Sequence, residues 1–292
     1  MAGAIGNTPE VDKMKLAAFR CTIAVAALSL FAPVLAWAAP AAEPWPKWEV
    51  HNEASTTTID HGVWDGFLKK YAHLSSDGIV RVAYGQVTPQ DKQALAQDLV
   101  RMGALPISSY NRMEQRAYWI DLYNEITVKF VLDHYPIPSI KDTAGLMKLF
   151  TATPWSRKLI AVEGEELSLD DIEHRILRPG WRDLRIHYAL NCASLGCPNL
   201  QPMAYTSANT DMLLEQGAHS YINHPRGVSV ENGELKVSSI YVWYKADFGG
   251  TDAGVISHIK RYAEPSLVAA LGAIDHIARH DYDWSLNEAV AQ

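Results

Sequence analysis

The residues best suited to chemistry in this chain lie close together in its second half. Cys192 follows Asn191 and precedes a second cysteine, Cys197, by five positions. A cysteine acts as a nucleophile when its thiol pKa is lowered and a nearby base, usually a histidine, takes its proton. His187 is the first candidate for that base. The stretch 183–190 alternates apolar and polar residues, which predicts a half-buried strand carrying this histidine.

A strand would hold His187 away from Cys192. Five extended residues span about 16 Å, and successive side chains point to opposite faces of a strand. The two groups can meet only if the chain turns sharply near Asn191. Otherwise the base must come from elsewhere, and the next candidate is His174, which follows Glu173 at the end of a short capped helix.

Three further polar residues could orient the base or polarise a substrate. Asn191 stands next to the cysteine, and Asp121 and Asn124 interrupt an otherwise apolar helix. One turn apart, Asp121 and Asn124 suit a buried network or the wall of a cleft equally well. The sequence therefore predicts this catalytic set: Cys192, His187, His174, Asn191, Asp121 and Asn124.

A disulfide between Cys192 and Cys197 is the alternative to a free nucleophile. The four intervening residues include Gly196, and they allow the Cα separation of roughly 4.4 to 6.8 Å that a disulfide requires. An exported chain would meet an oxidising compartment, although so short a loop gains little stability. A reversible dithiol is less favoured because redox pairs are usually spaced C-x-x-C.

The sequence favours neither a metal nor a cofactor. His276 and His280 have a zinc-binding spacing if they share a helix, but there is no His-Glu-x-x-His motif and no obvious third ligand. The chain also lacks a glycine-rich phosphate loop, a nucleophile elbow and a dinucleotide fingerprint. A second possible zinc site would have four tetrahedral ligands, and disulfide formation would compete with metal binding there. Its ligands would be Cys192, Cys197, His187 and His174.

Composition excludes some classes of partner and keeps another open. The net charge is −7 and no block of Lys and Arg occurs, so the chain lacks the basic surface that nucleic acids require. Nine Trp and thirteen Tyr are present, several of them near turns. Aromatic rings outside a core can line a sugar or peptide groove, although packing is their commoner role. The aromatic residues near turns include Trp155, Trp181, Trp243, Tyr244 and Trp284.

Residues 1–38 have the parts of a secretory signal peptide. Lys13, Lys15 and Arg20 precede an uncharged stretch, and an Ala-x-Ala sequence ends at Ala38. A membrane anchor is the alternative reading, because 22 uncharged residues could span a bilayer, but no basic stop-transfer cluster follows them. We therefore expect a periplasmic or secreted protein with no stable membrane span after cleavage.

The remaining chain predicts an α+β fold. Residues 39–48, rich in Pro and Ala, predict a linker; 49–105 predict an N-terminal helical section and 106–292 the main domain. Helical periodicity occurs at 64–71, 89–102, 111–134, 168–177, 207–222 and 252–279. Strand patterns occur at 78–84, 157–163, 166–167 and 183–190, with Asn232-Gly233 as a hairpin turn. We expect an antiparallel sheet packed against the long central helix 111–134.

Several of these segments resemble a known protein family. The sequence Asn-Cys-Ala-Ser-Leu-Gly-Cys-Pro at 191–198, with segments 118–125, 168–174 and 281–287, is similar to domain-of-unknown-function family 547 (DUF547), found in bacteria and plants. The similarity covers roughly residues 101–287 and implies little about activity. A looser similarity to the papain-like and transglutaminase-like group implies a helix packed on an antiparallel sheet that carries a catalytic histidine.

Two functions follow from these residues. The first is a thiol-dependent hydrolase or acyl transferase acting on peptide or cell-envelope material, with Cys192 as nucleophile. The second is a non-catalytic peptide- or glycan-binding module in which Cys192 and Cys197 form a structural disulfide. The first requires a reduced sulfur and an imidazole in one pocket that solvent can reach.

Overall fold

A computed structural model describes residues 1, 3, 39–147 and 153–289 of the chain. The chain divides into two units, Met1–Leu35 and Ala36–Gln292, and residues 39–147 and 153–289 belong to the second. Almost all of the predicted signal peptide lies outside the described residues. The second unit contains both the predicted N-terminal section and the predicted main domain.

Helices and short strands alternate irregularly along the second unit. The α-helices of the described residues are α1 (Gly62–Tyr71), α2 (Pro89–Gly103), α3 (Arg112–His134), α4 (Arg178–Trp181), α5 (Thr210–Ile222), α6 (Ile240–Trp243), α7 (Asp252–Tyr262) and α8 (Pro265–Leu271). The strands are β1 (Ala72–Leu74), β2 (Val80–Val82), β3 (Ile160–Val162), β4 (Glu165–Leu167), β5 (Val228–Glu231), β6 (Glu234–Ser238) and β7 (Arg279–Asp281). This mixture confirms the predicted α+β class.

The strands form three small sheets. β1 pairs with β2, β3 pairs with β4 and β5 pairs with β6, all antiparallel, and β7 adds to β6 in parallel. The hairpin turn predicted at Asn232 and Gly233 is confirmed. Both residues have positive φ (54° and 81°), which a two-residue turn between right-twisted strands requires.

The central helix α3 begins and ends within one residue of its predicted limits. Asn111 caps it, because its side chain accepts hydrogen bonds from the backbone N–H groups of Met113 and Glu114. Seventeen of its 23 residues are buried, so α3 is enclosed on most faces. It packs against α2 and against the π-helical segment Asp171–Leu177, which continues into α4. No helix among residues 39–147 and 153–289 has the length and apolar character needed to cross a bilayer.

The buried apolar residues form three clusters. The N-terminal half of α3 packs with β3, β4 and the π-helical segment, and its C-terminal half packs with α1 and α2. The third cluster joins α5, α7, β5 and β6 and contains no residue of α3. The three-stranded sheet therefore packs on α5 and α7, whereas the β1–β2 and β3–β4 hairpins each share a core with α3.

The strand predicted at 183–190 is wrong. Leu184–Tyr188 form a 3-10 helix, and the Asp183 side chain caps it by accepting a hydrogen bond from the N–H of Arg185 at 2.9 Å. A short side-chain cap competes effectively with strand pairing, and the alternating apolar pattern did not reveal it. The chain between His187 and Cys192 therefore spans a shorter distance than an extended strand would, because a helical turn and a loop separate the two residues.

The helical tail predicted at 252–279 is only partly correct. Pro265 starts a new helix, α8, which ends at Leu271, and the chain then returns as β7. His276 lies in the connecting loop and His280 lies in β7. These two histidines therefore do not share a helical face, and the zinc spacing inferred from the sequence has no structural basis.

Residues 39–48, predicted as a linker, lie against the domain. The backbone N–H of Ala39 donates to the carbonyl of Trp243 (3.0 Å), and that of Glu43 donates to the carbonyl of His174 (3.1 Å). Arg178 donates to the carbonyl of Pro40 at 2.6 Å. Pro46–Glu49 form one 3-10 turn that buries Trp48. The segment that would follow signal cleavage is thus held next to His174.

Candidate functional site

A cavity of about 470 Å³ brings together three of the predicted catalytic residues. Cys192, His187 and His174 all line it. Its wall is built from distant parts of the chain: Ala39 and Pro40, α3, the π-helical segment, the loop 190–198, α6 and the stretch 282–284. The first requirement of the thiol hypothesis, a shared pocket, is therefore met.

The second requirement, a reduced sulfur, is not met. Cys192 and Cys197 form a disulfide with a Cα separation of 6.2 Å. The Tyr282 hydroxyl lies 3.0 Å from each sulfur, and the Ser194 hydroxyl lies 3.2 Å from Cys192 Sγ. None of the histidines, all of which lie within the described residues, hydrogen-bonds to either sulfur. While the disulfide is intact, its two sulfur atoms cannot serve as metal ligands or as a nucleophile.

The loop that carries the cysteines is held by the last described stretch of the chain. The N–H groups of Leu195 and Gly196 donate to the carbonyls of Ser285 and Asp283, both at 2.8 Å. A Cβ at position 196 would come within 2.9 Å of the Asp283 backbone, so only glycine fits there. The spacing between the two cysteines thus serves both the disulfide and this close contact.

Asn124 and Asn191 position the same loop from inside the core. The Asn124 amide donates to the carbonyl of Ala189 (2.9 Å), and its oxygen accepts the N–H of Asn191 (2.8 Å). The Asn191 amide in turn donates to the carbonyl of Pro198 (2.7 Å). Both side chains are buried and neither lines the cavity. The geometry gives them a positioning role.

Asp121 lies outside the cavity, in a second buried polar cluster. Its Oδ2 is 2.8 Å from Nδ1 of His61, and its Oδ1 accepts the N–H of Tyr205 at 3.1 Å. Burial raises the pKa of Asp121, although His61 opposes the shift. The structure therefore separates Asp121 from Cys192, His187 and His174 and joins it to a histidine that the sequence did not single out.

His187 is held by a carboxylate that the sequence analysis missed. Its Nε2 lies 2.8 Å from Oδ2 of Asp247, and Arg178 donates two hydrogen bonds to the same carboxylate, at 2.7 and 2.9 Å. Burial raises the pKa of Asp247, but the hydrogen bonds from His187 and Arg178 outweigh it and hold this pKa well below its usual range. Asp247 is thus ionised and fixes the imidazole ring.

His174 lies in the π-helical segment, one turn before Arg178. Arg178 Nη1 donates to His174 Nδ1 at 3.0 Å, which leaves Nε2 as the protonated nitrogen, 3.6 Å from Oδ1 of Asp170. Burial lowers the pKa of His174, Glu173 opposes this shift, and the charge of Arg178 adds to it. The imidazole is therefore neutral at pH 7. π-Helical turns of this kind occur often at functional sites.

Two carboxyl groups line the cavity beside these histidines. Burial, followed by the charges of Glu173 and Asp171, raises the pKa of Asp170 to about 6, although Lys158 opposes the shift. The Tyr123 hydroxyl donates to Glu173 Oε2 at 3.3 Å. Because both carboxyl groups lie in a cavity with a largely aromatic wall, their negative charge is weakly solvated.

Aromatic rings form the opposite part of the wall. Trp284 contacts three of them, with centroid separations of 5.5 Å to Trp155, 5.6 Å to Trp243 and 4.6 Å to Tyr282. All four rings line the cavity and keep part of their surface exposed. Of the aromatic residues singled out near turns, Trp155, Trp243 and Trp284 are here, whereas Trp181 packs on Arg112 instead.

The residues missed by sequence reasoning are Arg178, Asp247 and Tyr282. Arg178 and Asp247 are 69 positions apart, and no local spacing pairs them. Tyr282 lies in segment 281–287, which resembles DUF547. Its contact with the sulfurs could not be predicted, because it depends on this segment folding back onto the cysteine loop. No group of three or more His, Cys, Asp or Glu residues in the described ranges is arranged to hold a metal ion.

Comparisons with known proteins support one family. Residues 107–222 match the model of a family described as "Protein of unknown function, DUF547". A comparison with curated proteins and a comparison with solved structures each gave no match. The papain-like or transglutaminase-like core consequently stays a prediction. The matched segment contains α3, the π-helical segment and the cysteine loop, and over residues 107–222 the match confirms the predicted resemblance to DUF547.

Proposed function

We propose that this protein is an exported recognition module that binds peptide or glycan material of the cell envelope in its aromatic cavity. The observation that carries the proposal is the wall itself: three tryptophans and Tyr282 surround a space of about 470 Å³, with a disulfide among the lining groups. Cavities of this size accept small ligands or one to two residues of a longer chain. Tryptophan and tyrosine rings stack on sugar faces and on apolar side chains.

The disulfide favours binding over thiol chemistry. It consumes the only nucleophile proposed from the sequence, and it fixes the loop 192–197 against Tyr282. A rigid wall lowers the entropy lost when a ligand is bound. Export would keep the two sulfurs in an oxidising compartment.

The binding proposal is tested by titrating the oxidised protein with cell-wall peptides and with glycan fragments while recording tryptophan fluorescence. We expect saturable spectral change, loss of binding in Trp243→Ala, and unchanged binding in Trp181→Ala, since Trp181 lies outside the cavity. Both variants also require a thermal unfolding measurement, so that loss of binding is not confused with loss of folding. Binding that survives Trp243→Ala would contradict the proposed site.

A thiol-dependent hydrolase or acyl transferase is the second candidate, favoured by one observation. His187 is oriented by Asp247 through Nε2, and it lines the same cavity as the partly exposed Cys192. Its Nδ1 would be the nitrogen available to a thiol. After reduction of the disulfide, this function predicts rapid alkylation of Cys192 below the usual thiol pKa of about 8.5, and slower alkylation in His187→Ala. Equal rates in the two proteins would remove this candidate.

A further inference from the structure

We propose that the cavity recognises the ammonium group of an aliphatic amine, such as a lysine-like side chain, at the junction of its carboxyl groups and its tryptophan rings. This inference rests on the proposed binding function and names the chemistry of the ligand.

The charges of the cavity wall are unbalanced. Asp170, Glu173 and Lys141 are the lining residues, apart from the histidines, whose side chains carry charge. The nearby cation Arg178 is already engaged, because it donates two hydrogen bonds to Asp247 and one to the carbonyl of Pro40. A ligand that brings a positive charge would therefore complement the wall, whereas an anionic ligand would face two carboxylates.

The aromatic part of the wall already holds a cation. The ammonium nitrogen of Lys141 lies 4.4 Å from the ring centroid of Trp284, within the range of a cation–π contact. Lys141 is an exposed residue. Its ammonium group thus occupies an aromatic face that a ligand amine could take, and it competes with that ligand both for space and by charge.

The size and polarity of the site fit an alkyl chain with one charged end. The rings of Trp155, Trp243 and Tyr282 surround Trp284 and offer apolar contact to methylene groups. The Tyr123 hydroxyl donates a hydrogen bond to Oε2 of Glu173, and the other carboxylate oxygen, Oε1, lies 3.9 Å from His174 Nδ1. Tyr244 also hydrogen-bonds the Glu173 carboxylate, but a carboxylate has about four lone-pair sites and can accept a further hydrogen bond from a ligand amine.

Protonation of Asp170 adds a pH signature. The groups that face this carboxyl are Glu173, Asp171, Lys158 and His174. Because the pKa of Asp170 is about 6, the carboxyl is largely neutral below that pH and charged above it. A lysine side chain keeps its charge over this range. The affinity for the amine should therefore rise as the pH increases through about 6, and Asp170→Asn should abolish this rise.

The test uses the oxidised protein and two blocked tripeptides, acetyl-alanyl-lysyl-alanine amide and its norleucyl counterpart, which differ in the ammonium group. Calorimetry should show the lysyl peptide binding at least about tenfold more tightly. Asp170→Asn should reduce this preference, and Lys141→Gln should increase the affinity for the lysyl peptide, since it vacates the Trp284 face. Both residues keep exposed surface, so both variants should fold. The controls are Glu166→Gln and Lys69→Gln, exposed charges outside the cavity.

The outcomes separate the two proposals. Equal affinity for both peptides, or weaker binding of the lysyl peptide in Lys141→Gln, would overturn amine recognition. If amine recognition fails in this way but glycan or peptide fragments still quench the fluorescence of the cavity tryptophans, the proposed binding function remains valid without amine recognition. If no fragment and neither tripeptide perturbs these tryptophans, the binding function fails and the amine inference fails with it.

Discussion

Nε2 of His187 lies 2.8 Å from Oδ2 of Asp247, which stands 60 positions further along the chain. Arg178 completes the arrangement by bonding both carboxylate oxygens. His187 and Arg178 are buried, and the Asp247 side chain is 18% exposed. This group joins the 3-10 helix, the start of α4 directly after the π-helical segment, and the chain after α6, so it holds three walls of the cavity together.

Removing Asp247 should therefore destabilise the protein strongly. In Asp247→Ala, the buried Arg178 loses its charge partner, and we expect a loss of about 3 kcal/mol or more in the free energy of unfolding. Urea denaturation measures this. Asp281→Ala is the matched control, because Asp281 is exposed and its ion pair with the partly buried Lys236 has an expected value below about 1 kcal/mol. Similar losses in the two variants would show that the buried network does not hold the cavity walls.

The disulfide should contribute modest stability and leave no free thiol in its loop. For a closed loop of this length, the chain-entropy relation gives about 2 kcal/mol, which we expect Cys192→Ser with Cys197→Ser to lose. Thiol titration of the denatured, unreduced full-length chain should detect one thiol, Cys21, and cleavage of the predicted signal peptide should reduce this to none. Detection of two further thiols would mean that the pair is reduced as isolated.

Glu125 should give the stability a distinctive pH dependence. The residue is fully buried on α3, and neither carboxyl oxygen has a hydrogen-bond partner among the described residues. Burial, followed by the charges of Asp98 and Asp121, raises its pKa well above the usual value. The folded state therefore keeps a proton that the unfolded chain releases above about pH 4.3, and the contribution of Glu125 to stability falls as pH rises from there.

Glu125→Gln removes this contribution. Measured by urea unfolding at several pH values, the stability of the variant relative to the unmodified protein should increase from about pH 5 to about pH 8. Glu166→Gln, an exposed acid, should show no such trend. A constant difference for Glu125→Gln over this range would indicate that Glu125 is ionised in the folded protein.

Asn124 should matter for the cysteine loop without touching the ligand. Asn124→Ala leaves the Ala189 carbonyl and the Asn191 N–H without their buried partner, at a cost of about 2 to 3 kcal/mol. Thr127→Val, also buried on α3, removes only a hydrogen bond to a carbonyl of the same helix and should cost less. Calorimetric unfolding compares them. Equal costs would argue against a special role for the Asn124 network.

Local signals in the sequence were sufficient for most elements. α3 was predicted almost to the residue from its helical periodicity. The Asn111 cap that the structure shows and the proline at position 136 limit the helix through effects that act within a few residues. The Asn232-Gly233 turn and the Cys192–Cys197 pair are likewise local. The strand prediction at 183–190 was wrong because another local signal was overlooked: the Asp183 side chain accepts a hydrogen bond from the backbone N–H of Arg185, and the alternating pattern has no partner strand to oppose it.

By itself, the sequence determined the α+β class, the positions of the long helices, the family resemblance and the choice of Cys192, His187 and His174 as neighbours of a possible site. Only the tertiary structure decided that Asp247 orients His187, that Tyr282 contacts both sulfurs, and that Asp121 belongs with His61 elsewhere. The physical reason is the sequence separation between the residues that interact. Caps, turns and helical periods depend on residues a few positions apart, whereas each of these contacts joins side chains 60 or more positions apart, and burial of the whole core determines which of them meet.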